Sequence, residues 1–383
     1  MKSLSVSTQI PDPYRAGLEL GYALKPIKPE VVFLFCTIHY TENNEILTGI
    51  LDALEQEDTI IFGNSGDGFY ETKGASELGA ATLGINSEGK VAWHITSANG
   101  LETEPENCTT TAISNLKAKF NNTEPDLCWI AADFRTDASR IEATLQTALK
   151  APVVGGMAAD DNRMSDCALF KNDEILRNAV VLLGAQGDFS YDIIIANTLS
   201  GVGQPGTINS AHGTHINTID NIDAMSFIER ETGKPVLQSD RGVTSLTVID
   251  EDQPEIKRIR SIVPDLSAAE GSLGLYGGIE TGKRVQVCLA TPEQMLNEVR
   301  QKCLASSTHA LDPKAGIIIS CAGRKWLLGE QIQDEIKPVN EKFGAGFPIA
   351  GFPSFGEIGP IKTGSGYSRP LFHNMTYVLV LIG

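Results

Sequence analysis

Three glycine-bearing stretches hold the residue types best suited to receive a ligand: Gly63-Asn64-Ser65-Gly66-Asp67-Gly68, Gly155-Gly156 and Gly351 to Gly356. Each follows a short apolar run that reads as a strand, and ligand sites of α/β proteins gather at strand ends. Glycine lets the backbone approach a ligand closely and leaves N–H donors open to carboxylate or phosphate oxygens. Asp67, Asp160, Asp161 and Glu357 lie beside these stretches and carry the charge to accept an ammonium group. Arg135 and Arg324 stand at strand ends, where a guanidinium can clamp a carboxylate through paired bonds. An amino-acid-like ligand would suit this set. The structural alternative is that the glycines make turns and the charges pair with one another.

Motifs for other chemistry are sparse. No Gly-Lys-Ser/Thr follows any glycine stretch, as a P-loop requires. Gly201-Val202-Gly203-Gln204-Pro205-Gly206 has the G-x-G-x-x-G count, but Pro205 speaks against the helix that must follow. No G-x-S-x-G elbow is present. Ser65 and Cys321 are candidate nucleophiles and His373 a candidate base, so a hydrolase or transferase rests on residues with no spacing that joins them. His212-Gly213-Thr214-His215 has no acidic or cysteine ligand beside it. His39, at the end of a buried strand and next to Tyr40, is a candidate axial haem ligand. No C-x-x-C-H occurs, which excludes covalent haem attachment.

The elements that must position these residues alternate. Val31 to Ile38 is a continuous apolar run, the pattern of a strand buried on both faces. A helix is expected from Thr41, with Ile46, Leu47, Ile50, Leu51 and Leu54 at helical spacing. Thr59 to Phe62 is a strand feeding a loop at 63–68. Strands at Val91 to Thr96 and Leu127 to Ala132 alternate with helices marked by Ile113, Leu116, Phe120 and by Ile141, Leu145, Leu149. Beyond Gly156 an antiparallel stretch is expected, then a short helix capped by Asp220 and ending near Gly233. Thr291-Pro292-Glu293-Gln294 is a capping-box helix start. The unit at 151–156 with Leu169-Phe170-Lys171-Asn172 is echoed at 347–352 with Leu371-Phe372-His373-Asn374. The reading is α/β, in two related lobes with mixed parallel and antiparallel sheets. It divides into an N-terminal segment 1–29 with an unordered start, a domain at 30–220 and a domain at 221–383.

A chain of 383 residues favours two domains. Its net charge of −17 repels phosphate backbones and anionic lipid, so no nucleic-acid or membrane partner is expected. No signal peptide or membrane-length apolar run is visible. The seven cysteines include no C-x-x-C and read as reduced core thiols, which suits a cytoplasmic protein.

The block Pro348 to Pro360, followed by Phe372-His373-Asn374-Met375-Thr376, resembles the C-terminal module of the FIST family of sensory proteins. Ser320-Cys321-Ala322-Gly323-Arg324 is similar to that module's strand-to-helix turn. Val153 to Gly156 and Phe170-Lys171-Asn172 resemble the N-terminal module more loosely. The resemblance implies an intracellular sensor of a small molecule such as an amino acid, acting on a separate histidine kinase or cyclic-nucleotide signalling enzyme. It also implies a rival: some stand-alone members of this size resemble haem proteins that sense nitric oxide, and His39 is the candidate for that role. The ligand-binding residues expected are Gly63, Asn64, Ser65, Gly155, Gly156, Asp160, Arg324, Gly356, Glu357 and His373.

Overall fold

The computed structural model describes all residues except 57, 198, 250–255, 265–270, 307–310 and 365. The chain runs three times through one pattern: strand, helix, strand, helix, strand, hairpin, strand. The first repeat is β1 (Lys2–Thr8), α1 (Pro13–Leu24), β2 (Val31–Thr37), α2 (Glu45–Leu54), β3 (Ile60–Gly66), the hairpin β4 (Phe69–Glu71) with β5 (Gly74–Ser76), and β6 (Ala80–Asn86). The second is β7 (Val91–Asn99), α3 (Pro105–Lys119), β8 (Leu127–Ala132), α4 (Ala138–Ala148), β9 (Val153–Met157), the hairpin β10 (Leu169–Lys171) with β11 (Glu174–Leu176), and β12 (Ala179–Gly187). The third opens with β13 (Tyr191–Ala196) and is then interrupted by an insertion. The insertion holds β14 (Ser200–His212), β15 (His215–Ile219), β16 (Ile222–Asp223), α5 (Ala224–Thr232), β17 (Ser245–Ile249), β18 (Arg258–Pro264), β19 (Leu273–Leu275) and β20 (Arg284–Leu289). The repeat resumes with α6 (Pro292–Ala305), β21 (Ala315–Cys321), α7 (Ala322–Leu328), α8 (Lys337–Phe343), β22 (Ile349–Ser354) and β23 (Glu357–Gly359). The short pair β24 (Lys362–Thr363) and β25 (Gly366–Tyr367) precedes β26 (Leu371–His373) and β27 (Tyr377–Ile382).

Each repeat builds a four-stranded sheet with one parallel pair, β2 with β3, β8 with β9, and β21 with β22. Its hairpin leaves to extend another repeat's sheet. β4–β5 joins β22, β10–β11 joins β3, and β23 with β26 joins β9. The exchange is cyclic, so three six-stranded mixed sheets result and each covers an edge of another. The α/β class with mixed sheets is what the sequence predicts.

The alternation of side chains along the first parallel strands explains the packing. Phe33 and Phe35, Trp129 and Ala131, and Ile317 and Ile319 meet in one central core shared by the three sheets. Their neighbours Leu34 and Cys36, Ile130 and Ala132, and Ile318 face the helices of their own repeats. With period two and both faces covered, every residue must be apolar or small. The insertion is different. Its strands pair in the order β14-β20-β17-β18-β19-β15, and β15 pairs back to β14, closing an antiparallel barrel. Phe227 of α5 packs into its interior with Ile216, Leu246, Ile262 and Val287. The molecule therefore has two lobes, a three-sheet body and this barrel.

Some expectations change. The first residues, expected to lack order, form β1, which pairs along its length with β6. Asp12 then caps α1 by accepting from the Arg15 N–H. The helix expected from Thr41 begins at Glu45, because Ile38–Tyr40 first makes a 3-10 turn. Residues 63–66, expected as loop, belong to β3. Asp220 sits with Asn221 in a left-handed turn instead of capping α5, which starts after Asp223 and ends at Gly233 as expected. The capping box at Thr291 and Gln294 is present. No helix among the described residues is long and apolar enough to cross a membrane.

Candidate functional site

The three second strands of the parallel pairs cross near the centre of the body. The Ala159 N–H donates to the Ser65 carbonyl at 2.9 Å, Asp67 N–H to Pro353 at 3.0 Å and Met157 N–H to Gly356 at 2.8 Å. Each bond ties one repeat to another at the C-terminal end of a parallel pair. Three related junctions arise there, and they are filled differently.

Between the first and second repeats the loop 158–168 closes the space. Ser65 Oγ donates to the Ala159 carbonyl at 2.7 Å and accepts from Ala168 N–H at 3.0 Å. The Asp160 carboxylate is fully buried and accepts from the backbone N–H groups of Met164, Ser165 and Asp166. It organises its own loop. Asn64, next to Ser65 in sequence, is buried and its Nδ2 donates to the Ser65 carbonyl at 2.9 Å. Between the third and first repeats, Lys325 Nζ lies 3.2 Å from Asp67 and Trp326 Nε1 donates to the same carboxylate at 2.9 Å. Burial raises the Asp67 carboxyl above its ordinary value despite Lys325.

Between the second and third repeats the junction stays open. A cleft of about 410 Å³ lies there, roofed by the barrel. Phe134, Met157, Val263, Leu275, Phe355 and Phe372 form its apolar wall, and Glu102, Arg135 and His215 stand among its polar lining. Arg135 is held by Asp133, with Nε and Nη2 donating to the two carboxylate oxygens at 3.0 and 2.7 Å. Burial alone would raise the Asp133 carboxyl, but the bonds from Arg135 and the Asn178 N–H hold it below its ordinary value. Nη2 of Arg135 also approaches Glu102 at 3.2 Å, and both side chains remain about a third exposed. The barrel is fastened above the cleft. Arg260 Nη1 donates to the Phe372 carbonyl at 2.8 Å, and its Nη2 lies 3.3 Å from Glu142 of α4. Asp137, the N-cap of α4, accepts from the Gly278 N–H at 3.0 Å. Larger open grooves of about 820 and 830 Å³ run past Ile60 at the start of β3, away from the strand C-termini.

The expected ligand residues divide between these places. Gly63, Gly155 and Gly351 occupy equivalent positions: a Cβ on each would land on the carbonyl of the neighbouring strand, at Leu34, Ile130 and Ile318. Close strand approach accounts for these glycines, and all three are buried within strands. Gly155 and Gly156 pair with Ile358 and Glu357 in β23. Gly356 turns the chain at φ 145°, where a Cβ would strike the Phe372 ring.

Glu357 is fully buried and accepts from Ser354 Oγ at 2.5 Å and Thr376 N–H at 3.2 Å. Burial pushes its carboxyl up to about 8, against those bonds and one from Cys321. His373 sits opposite Glu357 in the ladder, with Nε2 3.0 Å from the Gly359 carbonyl. Its burial lowers the imidazole to about 4, so it is neutral.

Arg324 is 1% exposed and turned toward Glu335. Nε donates at 2.8 Å, while Nη2 lies 2.6 Å from the same oxygen without the alignment of a second hydrogen bond. Glu335 also accepts from Tyr70 and Ser320. The carboxylate that Arg324 holds is thus the chain's own. Ser65 and Cys321, the candidate nucleophiles, bond to backbone groups and to Glu357 and not to His373.

A haem ligand needs a pocket that encloses the macrocycle. His39 lies on an exposed turn, with Nε2 3.5 Å from the guanidinium of Arg163, and these surroundings do not fit. No cluster of three metal-ligating side chains occurs among the described residues. Arg135 stands at the strand end where its sequence places it, while Glu102 and His215 line the cleft without a clear sequence signal for it. The weak signal for His215 was the H-x-x-H, which forms the β14–β15 turn over the cleft.

Two curated relatives are similar to part of this chain. Both are uncharacterized proteins of Mycobacterium tuberculosis, one from strain CDC 1551 and one from strain H37Rv. Each is 24% identical over 220 residues, 55% of this chain and 56% of the relative. The chain thus spans about half the length of the curated relatives it matches. The family model for the FIST N domain matches residues 30–222, and that for the FIST C domain matches residues 227–360. With most of its length covered by these two models, the chain belongs to the FIST family, whose domains are sensory modules of signal-transduction proteins.

Proposed function

We propose that this protein is a small-molecule sensor that receives an amino-acid-like ligand in the cleft between the second and third repeats. Occupancy is passed to a signalling partner such as a histidine kinase or a cyclic-nucleotide enzyme. The observation that carries this reading is the asymmetry of three related junctions. Two are filled by the chain's own side chains, and the third holds a cleft of about 410 Å³ at the C-terminal ends of a parallel pair. That volume suits a small organic ligand. Arg324 and Asp160 hold partners within the chain, so the charged roles pass to Arg135 for a carboxylate and Glu102 for an amine. A ligand carboxylate would replace Glu102 at the exposed side of Arg135, leaving the bond to Asp133 in place.

Thermal-shift screening of amino acids against the whole chain tests this, because a ligand that binds only the folded state stabilises it by about 2.7 kcal/mol at a hundredfold excess over Kd. Glu102→Gln is expected to weaken amine-bearing ligands about tenfold and to spare carboxylates without an amine. Equal effects on both would remove Glu102 from the site.

A second reading, a hydrolase or transferase, rests on Cys321 and Ser354 lying against Glu357. Burial raises the Cys321 thiol, which makes the thiolate scarce and favours the sensor. Turnover of simple esters that disappears in Cys321→Ala would reverse that preference.

A further inference from the structure

Past Tyr276 and Phe355, which belong to the walls of both, the cleft adjoins a second cavity of only about 20 Å³. Its other walls include Ser261, Cys321, Ala322, Trp326, Ser354 and Asn374. Five of these carry polar groups, yet each is already engaged, the Cys321 thiol by Glu357. Ser354 Oγ donates to Glu357. Ser261 Oγ pairs with Ser245 Oγ at 2.9 Å. Asn374 Oδ1 accepts from the Ser261 N–H at 3.0 Å while its Nδ2 donates to the His373 carbonyl at 3.1 Å. Trp326 Nε1 is turned to Asp67, and Tyr276 accepts from Arg241 Nε at 2.9 Å. The surface left facing the cavity is almost wholly apolar. A water there would lack the two to four partners that hold buried water, whereas a methyl group needs none.

We propose that this cavity is the specificity pocket of the sensor: it takes a methyl-sized apolar branch of a ligand whose charged head stays in the cleft with Arg135 and Glu102. The proposal rests on the cleft being the ligand site. It narrows the ligand to an amino-acid-like molecule with a compact aliphatic end. A hydroxyl in the same place would lose its hydration without gaining a bond, since the wall's polar groups are taken.

The test is calorimetric titration of the whole protein with glycine, valine and threonine, the last two equal in shape and differing by one methyl against one hydroxyl. Valine is expected to bind about tenfold tighter than threonine. Ala322→Val, which fills the cavity, should bring valine down to the affinity of threonine while glycine binding is unchanged. The emission of Trp326 provides a second readout. Valine should change it in the wild type and not in Trp326→Phe, where only Trp93 and Trp129 of the central core remain. If Ala322→Val does not fold, the wild-type ratio and the emission decide. Equal binding of valine and threonine, or a silent Trp326, overturns the pocket and leaves the cleft standing. Failure of any amino acid to bind overturns both.

Discussion

Single residues in this protein show how the same chemistry can serve a ligand or the fold. Arg324 and Glu335 are a fully buried pair, 1% and 0% exposed. Burial works against the Arg324 charge, yet Glu335 keeps the guanidinium above its ordinary value. Removing one partner strands the other charge in the core. Arg324→Met is therefore expected to cost about 3–5 kcal/mol in urea unfolding, and Arg324→Met with Glu335→Leu to recover only part of it, because the Tyr70 and Ser320 hydroxyls lose their acceptor. A ligand clamp would predict the opposite: unchanged stability and lost binding.

Glu357 and His373 face each other across one ladder and set a pH dependence of opposite sign. Glu357 is raised from 4.5 to about 8, so the folded state binds the extra proton, and its contribution is lost as pH rises through that window. His373 is lowered from 6.5 to about 4, so its contribution is present above 6.5 and lost as pH falls toward 4. Stability contributed by this pair should decline between pH 6.5 and 8 where only Glu357 titrates. The melting temperature of Glu357→Gln, followed over that range against the wild type, should lack that decline.

At the scale of elements, the barrel is joined to the body by buried polar contacts that border the cleft. Arg260 of β18 reaches Glu142 of α4 and the Phe372 carbonyl of β26, and its guanidinium lies 5.2 Å from the Phe372 ring centre. Burial lowers the Arg260 basicity despite Glu142, which marks a contact poised against its desolvation cost. Arg260→Met should loosen the barrel from the body without unfolding either lobe, since the barrel has its own core. Limited proteolysis is the measurement: cuts should appear faster at 197–199 and 290–291, the two connections, and the body should persist. Intact connections in the variant would assign the docking to the Asp137–Gly278 and Ser261–Asn374 bonds instead.

The whole molecule is held by the cyclic exchange of hairpins. A fragment ending at 222, where the first family model stops, would keep β4–β5 without β22 and β9 without β23 and β26. It would also lose Ile317, Ile319, Phe352, Val378 and Val380 from the central core. Fragments 1–222 and 223–383 are therefore expected to lack cooperative thermal transitions alone and to regain one when mixed after co-refolding. Calorimetry of each fragment and of the mixture would show it. A sharp transition in the isolated N-terminal fragment would mean that the shared core is dispensable.

Much of this was legible in the chain itself. The continuous apolar run Val31 to Ile38 announces a strand buried on both faces, found as β2, and Thr291 with Gln294 announces a helix start, because these signals are local. The echo of 151–156 in 347–352 is local too, and it matches β9 and β22 in the fold. The first copy, around Gly63, is masked in the sequence because its hairpin follows β3 after only two residues and its strand carries Asn64 and Ser65. Glycine alone could not say whether it faced a ligand or a neighbouring carbonyl; that depends on how closely another strand passes. Likewise Arg324 met Glu335 through the 3-10 turn of its own repeat that follows α7, whereas Arg135 faces an open cleft because of what stands opposite its strand end. Residue type and spacing determined the elements and their class. Contact between distant segments, set by the exchange of hairpins and the seating of the barrel, decided which charges are spent inside and which are left for a ligand.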